Sequence, residues 1–336
     1  MNKDALKITT ATLLTKGKGI LAADETPANI GKKFAALHVE NSSDNRRKYR
    51  EMLFSTPGIE QYISGVILQD ETINQFASVG VEFSSFLKTL GILSGIKVDF
   101  GLGAFNDDPI ETITKGLEGL GDRLEAYKLH LASFAKWRAV IHIDAKNGKP
   151  TSAAMQANAE DLAEYAYICQ QHDIVPIVEP EVLMDGDHTI DTSYRITYAM
   201  LETLFNELER RGVFMEGILL KPNMIIPGLM CLEQAHPEVV AQQTLECFKL
   251  TVPADVPGIV FLSGWQSDDL AIQHLALMNQ SENLPWILSF SYGRALQRKA
   301  LTLWKGAGEN VPIAQQAFIE QTRLNALATL GQLSTH

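Results

Sequence analysis

The sequence predicts an α/β fold, a closed (β/α)8 (TIM) barrel forming a single domain over residues 1–336, with extra helices before and after the barrel. Three observations carry this expectation. First, eight short runs rich in Ile, Val and Leu recur at residues 19–23, 65–69, 95–99, 137–143, 174–178, 216–220, 258–262 and 286–291. Most are continuous rather than alternating, the pattern of parallel strands covered on both faces. Second, apolar residues between the runs step by four and three, as in Met155, Ala159, Leu162, Ala166 and Cys169, and again in Tyr194, Tyr198, Leu201, Phe205 and Leu208. Such a stripe is one buried helix face and implies no cofactor. Third, strand and helix alternate about eight times, which favours closure over an open doubly wound sheet. A chain of 336 residues with 46% hydrophobic content suffices for one large core.

Taken in order, the segment before the first strand is expected to pack as an extra helix. Its opening, Met1-Asn-Lys-Asp-Ala-Leu, lacks the basic and apolar regions of a signal peptide, and no run approaches 18 apolar residues. A soluble, cytoplasmic protein is therefore expected. After the third strand, Gly101-Leu-Gly-Ala-Phe-Asn106 lacks the last glycine of a dinucleotide fingerprint and reads as a turn, and there is no GxxxxGK[ST] phosphate loop. Past the eighth strand, residues 294–305 and 312–330 read as two helices divided by Gly306-Ala-Gly308. The net charge of −11 argues against a broad nucleic-acid surface, so basic sites must be local. Three cysteines, Cys169, Cys231 and Cys247, show no CxxC spacing and fit idle thiols in a reducing compartment.

In a parallel barrel the active site lies at the carboxyl ends of the strands. Here those ends carry Asp24-Glu25 (first), Lys97 and Asp99 (third), Glu179-Pro-Glu181 (fifth), Lys221 (sixth), Ser263-Gly264 (seventh) and Ser291-Tyr-Gly-Arg294 (eighth), while Lys136 and Arg138 bracket the start of the fourth run. Lys221 closes the run Glu216-Gly-Ile-Leu-Leu and is followed by Pro222, so its amine would enter a pocket with apolar walls. A buried lysine beside a second cation, supplied by Lys136 or Lys97, is an amine nucleophile suited to carbonyls. Glu179, preceded by Ile177 and Val178, is the best acid/base. Glu25 and Glu181 read equally as salt-bridged acids. Ser263-Gly264 and Gly293-Arg294 look like a phosphate site built from the loops after strands seven and eight, supplying backbone N–H groups, a hydroxyl and a guanidinium. A second phosphate would need Lys32, Lys33, Arg46 and Arg47 to converge, although Arg47 and Lys48 read better as a solvated helix face.

At this point the chain resembles the class I, Schiff-base-forming fructose-bisphosphate aldolases. Nine collinear stretches carry the resemblance: Gly17-Lys-Gly-Ile-Leu-Ala-Ala-Asp-Glu25, Asn45-Arg-Arg-Lys-Tyr-Arg50, Gly95-Ile-Lys-Val-Asp99, Gly116-Leu-Glu-Gly-Leu120, Phe134-Ala-Lys-Trp-Arg138, Val175-Pro-Ile-Val-Glu-Pro-Glu181, Leu219-Leu-Lys-Pro-Asn-Met224, Phe261-Leu-Ser-Gly264 and Ser289-Phe-Ser-Tyr-Gly-Arg-Ala-Leu296. The resemblance implies that Lys221 forms an imine with the ketose carbonyl and that Glu179 is the principal acid/base. It further implies that Lys136 assists imine formation and that Asp24 orients or deprotonates the cleaved hydroxyl. Ser263, Gly264, Ser291, Gly293 and Arg294 would then hold the phosphate on the dihydroxyacetone half, with Lys33, Arg46, Lys97 and Arg138 nearer the other end. A cytosolic homotetramer needing no metal is implied as well.

Four departures stand out. Lys33 replaces an arginine and loses a bidentate fork. Asn29 stands where serine is usual, with Thr26 a milder serine replacement. Trp265 replaces the second glycine of Ser-Gly-Gly, so either it is strained or its ring narrows the phosphate mouth. The family's long tail ending in tyrosine is missing, since the chain stops at Ser334-Thr-His336. These leave open the preference among fructose 1,6-bisphosphate, fructose 1-phosphate and sedoheptulose 1,7-bisphosphate. A metal-dependent aldolase fits poorly, because the eight histidines are never closer than twelve positions and form no HxH, HxxH or HxxxH; His142 reads as a packed histidine. A catalytically silent scaffold has no need of Lys136, Glu179 and Lys221 together.

Overall fold

The computed structural model describes residues 1–333, and the chain end at Ser334-Thr-His336, on which the tail comparison turns, lies outside the described residues. Ten strands run in chain order as β1 (Gly19–Ala22), β2 (Ile63–Leu68), β3 (Leu93–Lys97), β4 (Leu102–Ala104), β5 (Thr112–Thr114), β6 (Ala132–Ile141), β7 (Val175–Val182), β8 (Leu219–Leu220), β9 (Gly258–Phe261) and β10 (Ile287–Tyr292). Eight of them close into a parallel barrel in the order β1, β2, β3, β6, β7, β8, β9, β10 and back to β1. The fold is a (β/α)8 barrel. Twelve α-helices accompany it among the described residues: α1 (Lys3–Leu13), α2 (Pro27–Ala35), α3 (Ser43–Phe54), α4 (Asp70–Ile73), α5 (Phe83–Thr89), α6 (Leu120–Leu129), α7 (Ser152–Gln171), α8 (Ile190–Arg211), α9 (Pro237–Thr251), α10 (Asp268–Asn279), α11 (Arg294–Trp304) and α12 (Val311–Ala328). None is long and apolar enough to cross a membrane among the described residues.

Helix α1 is the expected extra helix, and it closes the amino-terminal end of the barrel. Its Leu6 and Leu13, with Leu14 just beyond, cluster with Ile20, Ile67, Phe134, Ile177, Leu219 and Val260 from the strands. Phe134 fills the interior only because Gly95 opposite has no side chain: a Cβ there would stand 2.2 Å from the ring. The outer layer packs on the other strand faces, as where Trp137 stacks on Tyr165 of α7 with centroids 5.6 Å apart. In α7 and α8 the expected stripes are buried at Ala159, Leu162, Ala166, Cys169, Leu201, Phe205 and Leu208. Threonine caps start both helices, Thr151 accepting from Ala154 N–H and Thr189 from Thr192 N–H.

Besides shifts of one or two residues and the continuation of β7 through Glu179 to Val182, three features differ from expectation. Strand β6 begins at Ala132 rather than 137, because Ser133 and Lys136 break the apolar run that marks a strand in sequence. Strand β8 shrinks to two residues, since Met215–Gly217 winds into a 3-10 turn held by Gln170 Nε2, which donates to the Phe214 and Gly217 carbonyls. Residues 101–106 are no simple turn but enter an antiparallel hairpin, Leu102 pairing with Thr114 and Ala104 with Thr112. Thr112 and Thr114 hydroxyls donate to the carbonyls of Val140 and Arg138, so the hairpin buttresses the protruding end of β6.

Candidate active site

Because β6 begins at Ala132, Lys136 and Arg138 sit in mid-strand rather than at its start, correcting the sequence placement; Lys136 is level with Lys97 of β3 and Arg138 with Glu179 of β7. Alternation puts Lys136 and Arg138 on one face while Trp137 points to α7. Strand β8 delivers Lys221 immediately after Leu220, its N–H donating to the Val178 carbonyl at 2.8 Å. Asp24 and Glu25 follow β1.

These elements bring four side chains together. The Glu179 carboxylate lies between two ammonium groups, 3.3 Å from Lys221 Nζ through Oε1 and 3.3 Å from Lys136 Nζ through Oε2. Lys136 Nζ is also 2.7 Å from Asp24 Oδ2. Lys136, Glu179 and Lys221 are each 4% exposed. Two cations and two anions balance, so the cluster is neutral as a whole, the condition under which such burial is tolerated. Burial alone would raise the Asp24 carboxyl, but Lys136, Lys221 and Lys97 outweigh it and hold the group well below the ordinary carboxylate range. Burial likewise opposes the Lys136 ammonium, and Asp24, Glu179 and Asp99 overcome it, holding the group charged. Glu179 Oε2 accepts no directed hydrogen bond among the described residues, which leaves an acceptor open beside Lys136.

On the side of β9 and β10, Ser263 and Ser291 are 5% and 1% exposed, and the Ser291 hydroxyl has no partner among the described residues. Gly264 carries the positive φ of this loop at +52°, with the Met184 methyl 2.1 Å from where its Cβ would be. Trp265 has no positive φ, so it is not strained. Its N–H donates to Met184 Sδ at 3.1 Å and its ring is 60% exposed. Arg294 follows Gly293 at the start of α11, and its guanidinium faces the loop: Nε donates to Gly264 O at 3.1 Å, Nη1 to Asp268 Oδ1 at 3.1 Å and Nη2 to Gln266 O.

The cations expected at the other end each hold an acid. Lys97 Nζ lies 2.5 Å from Asp99 Oδ1, Arg138 pairs with Glu181, and Lys33 Nζ lies 2.7 Å from Glu25 Oε1. Arg46 is engaged in the same way: Nε and Nη2 grip Glu71 at 2.7 and 2.6 Å, and Nη1 donates to Asn41 O and Oδ1. Arg47 pairs with Asp44 and Glu51 and Lys48 with Asp44, the helix-face arrangement expected for them. Glu25 and Glu181 are both salt-bridged. Burial and Glu179 push the Glu181 carboxyl up, and Arg138 only partly offsets this.

Sequence reasoning missed Met184, Arg50 and Gln297, which position this machinery from 25 to 275 residues away. A cavity of about 540 Å³ lies away from the barrel mouth, between α3, α5 and the end of α11, lined by Phe54, Phe83, Phe86 and Trp304. The buried charges, not that cavity, mark the chemistry. Among the described residues no group of His, Cys, Asp and Glu is placed to hold a metal, and the three cysteines are unpaired.

A closed parallel barrel with a buried lysine, carboxylate, lysine bridge at its strand ends defines the class: a (β/α)8-barrel enzyme. The family model described as fructose-bisphosphate aldolase class-I matches residues 5–336. The probable fructose-bisphosphate aldolase class 1 of Xanthomonas campestris pv. campestris is 49% identical, covering 99% of both chains. The cytosolic fructose-bisphosphate aldolase 4 of Arabidopsis thaliana is 48% identical over 94% of this chain and 80% of its own. Among solved structures, the aldolase of Plasmodium falciparum in complex with TRAP and a small molecule inhibitor superposes with a TM-score of 0.97 at 43% identity, covering 99% of this chain and 96% of the other. The chain belongs to the class-I fructose-bisphosphate aldolase family and is a carbon–carbon lyase.

Proposed function

We propose that the protein cleaves fructose 1,6-bisphosphate reversibly to dihydroxyacetone phosphate and glyceraldehyde 3-phosphate, in glycolysis or gluconeogenesis, through an imine on Lys221. The observation that carries this reading is the Glu179 carboxylate set 3.3 Å from each of two buried lysines. Attack requires a neutral amine, and Glu179 is the acceptor in place for the Lys221 proton. The amine adds to the ketose carbonyl and one of its protons passes to the oxygen; the carbinolamine then loses that oxygen as water with one further proton, returned by Glu179, while the Lys136 ammonium assists by holding the oxygen, leaving a cationic imine. Asp24, held ionised, takes the proton of the hydroxyl on the carbon β to the imine. The bond between the α and β carbons breaks, the aldehyde leaves and the electron pair passes into the imine as an enamine. Protonation of that enamine and addition of water return the ketone and the free amine. The imine is the electron sink, so this route uses no metal and no other cofactor.

In the same reading Ser263, Gly264, Ser291, Gly293 and Arg294 hold the first phosphate, with Arg294 turning from the Gly264 and Gln266 carbonyls toward it. Lys33, Lys97 and Arg138 serve the second. Arg46, engaged by Glu71, supports that end rather than gripping phosphate. The chain is read as one domain and a cytoplasmic homotetramer, without nucleic-acid or membrane partners; light scattering at a mass of one chain would remove the tetramer.

Borohydride reduction with fructose 1,6-bisphosphate in EDTA, followed by peptide mapping, is expected to place the adduct on Lys221. Wild-type cleavage by a folded Lys221→Met variant would overturn the mechanism.

A further inference from the structure

The geometry points to Glu25 as a specificity-determining residue: its carboxylate is an internal anion that occupies the Lys33 ammonium and that a substrate's second phosphate must displace. The inference rests on the proposed role of Lys33 at that phosphate. Glu25 holds two cations of unequal freedom. Oε1 lies 2.7 Å from Lys33 Nζ and Oε2 lies 2.8 Å from Arg50 Nη2.

Arg50 cannot leave. Its side chain is 3% exposed, Nη2 also approaches the Glu25 carbonyl at 3.5 Å, and Nη1 donates to Gln297 Oε1 at 3.4 Å. Gln297 in turn donates through Nε2 to the Ala22 carbonyl at 2.7 Å and accepts from the Tyr49 hydroxyl at 3.0 Å, which ties Arg50 to both β1 and α11. Lys33 is the movable half: its side chain is 35% exposed, on a flexible four-carbon stem at the end of α2.

This asymmetry makes exchange inexpensive. Removing one partner of a buried pair leaves an uncompensated charge, the costly event in breaking such pairs. When Lys33 turns to a phosphate, Glu25 keeps the Arg50 guanidinium and is not stranded. The other cations lack this arrangement. Asp99, Glu181 and Glu71 each pair with one cation within 4 Å, so releasing Lys97, Arg138 or Arg46 would strand a carboxylate. Among these four pairs only the Lys33 carboxylate has a second guanidinium, and it lies next in sequence to Asp24. Burial alone would raise the Glu25 carboxyl, but Arg50 and Lys33 hold it below its ordinary value, so the competing anion is charged throughout the neutral range.

A dianionic terminal phosphate can displace a carboxylate from an ammonium; a terminal hydroxymethyl group cannot. Glu25 therefore weakens the grip on a ketose bisphosphate while leaving a ketose monophosphate untouched. As the phosphorylated aldehyde departs, Glu25 recaptures Lys33.

The test compares steady-state KM for fructose 1,6-bisphosphate and fructose 1-phosphate in wild type, Glu25→Gln, Lys33→Ala and the double variant, with thermal melting to monitor the fold. Partly exposed pairs are worth about 0.2–1 kcal/mol, so Glu25→Gln is expected to lower the bisphosphate KM about 1.4- to five-fold. The monophosphate KM should not move, the gain should shrink in high salt, and it should vanish in the Lys33→Ala background. If Glu25→Gln leaves the bisphosphate KM unchanged or raises it, while Lys33→Ala raises it for the bisphosphate alone, the inference falls and the phosphate reading stands. A Glu25→Gln effect of equal size on both substrates would place its action on Asp24 and also overturn the inference. If Lys33→Ala moves neither KM, the phosphate role of Lys33 fails, and this inference with it.

Discussion

Asp24 shows how a single residue is set by its surroundings. Burial penalises its charge, yet Lys136 at 2.7 Å and the fields of Lys221 and Lys97 keep it ionised. Its folded-state value lies below the ordinary 3.8, so the unfolded chain binds more protons between the two values. The stabilisation is therefore complete above the ordinary value and is lost as pH falls below it toward the folded value. Asp24→Asn removes the charge and keeps the shape. At pH 7 it is expected to destabilise the fold by about 1.5–3 kcal/mol, the range for hydrogen bonds to charged groups. It should also reduce kcat by about 10²–10⁴, the range for a positioned base. Urea unfolding at about pH 7 and about pH 3 checks the sign: the gap between wild type and variant should narrow in acid, and an equal gap at both would rule out the ion pair as its source.

At the scale of elements, what could be read from sequence was whatever local pattern carries. The continuous apolar runs of β2, β7 and β9 need no distant partner to be recognised. Lys221, Glu179 and Asp24 could be singled out as candidates because each closes a local apolar run. Strand β6 was found only in part, because its inward face carries Lys136 and Arg138 and its outer face Ser133: polar residues on both faces erase the hydrophobic signal that would mark the strand. The hairpin of β4 and β5 escaped for another reason. It is short, half exposed, and held to β6 by threonine hydroxyls rather than by a hydrophobic face. Side-chain partners were the least accessible. Gln297 reaches Arg50 across 247 positions and Met184 reaches Trp265 across 81, and no periodicity records such meetings. Hence sequence reading grouped Arg46 with the other cations by its charge but had no sign of the Glu71 and Asn41 that hold it.

Across the whole molecule the two ends of the barrel have separate duties, as the fold class expects. The carboxyl ends carry the charged cluster. The amino ends are sealed by α1, whose Leu6 and Leu13 are fully buried and whose neighbour Leu14 is 3% exposed. Leu13 presses into the space left by Gly65, where a Cβ would lie 2.6 Å from its Cδ2. A side chain enclosed in this way cannot be shortened without leaving a cavity, because strands fixed by their ladders on both sides have little freedom to collapse inward. Leu13→Ala is therefore expected to cost about 2–4 kcal/mol of stability. The cavity would open at the end opposite Lys221, with the layer containing Phe134 and Ile177 between, so kcat and KM should stay at wild-type values below the melting temperature. Denaturant unfolding and steady-state kinetics on one preparation test both halves. A kcat that fell along with stability would show that the plug also sets the geometry of the lysine pair, and the separation of duties between the two ends would have to be given up.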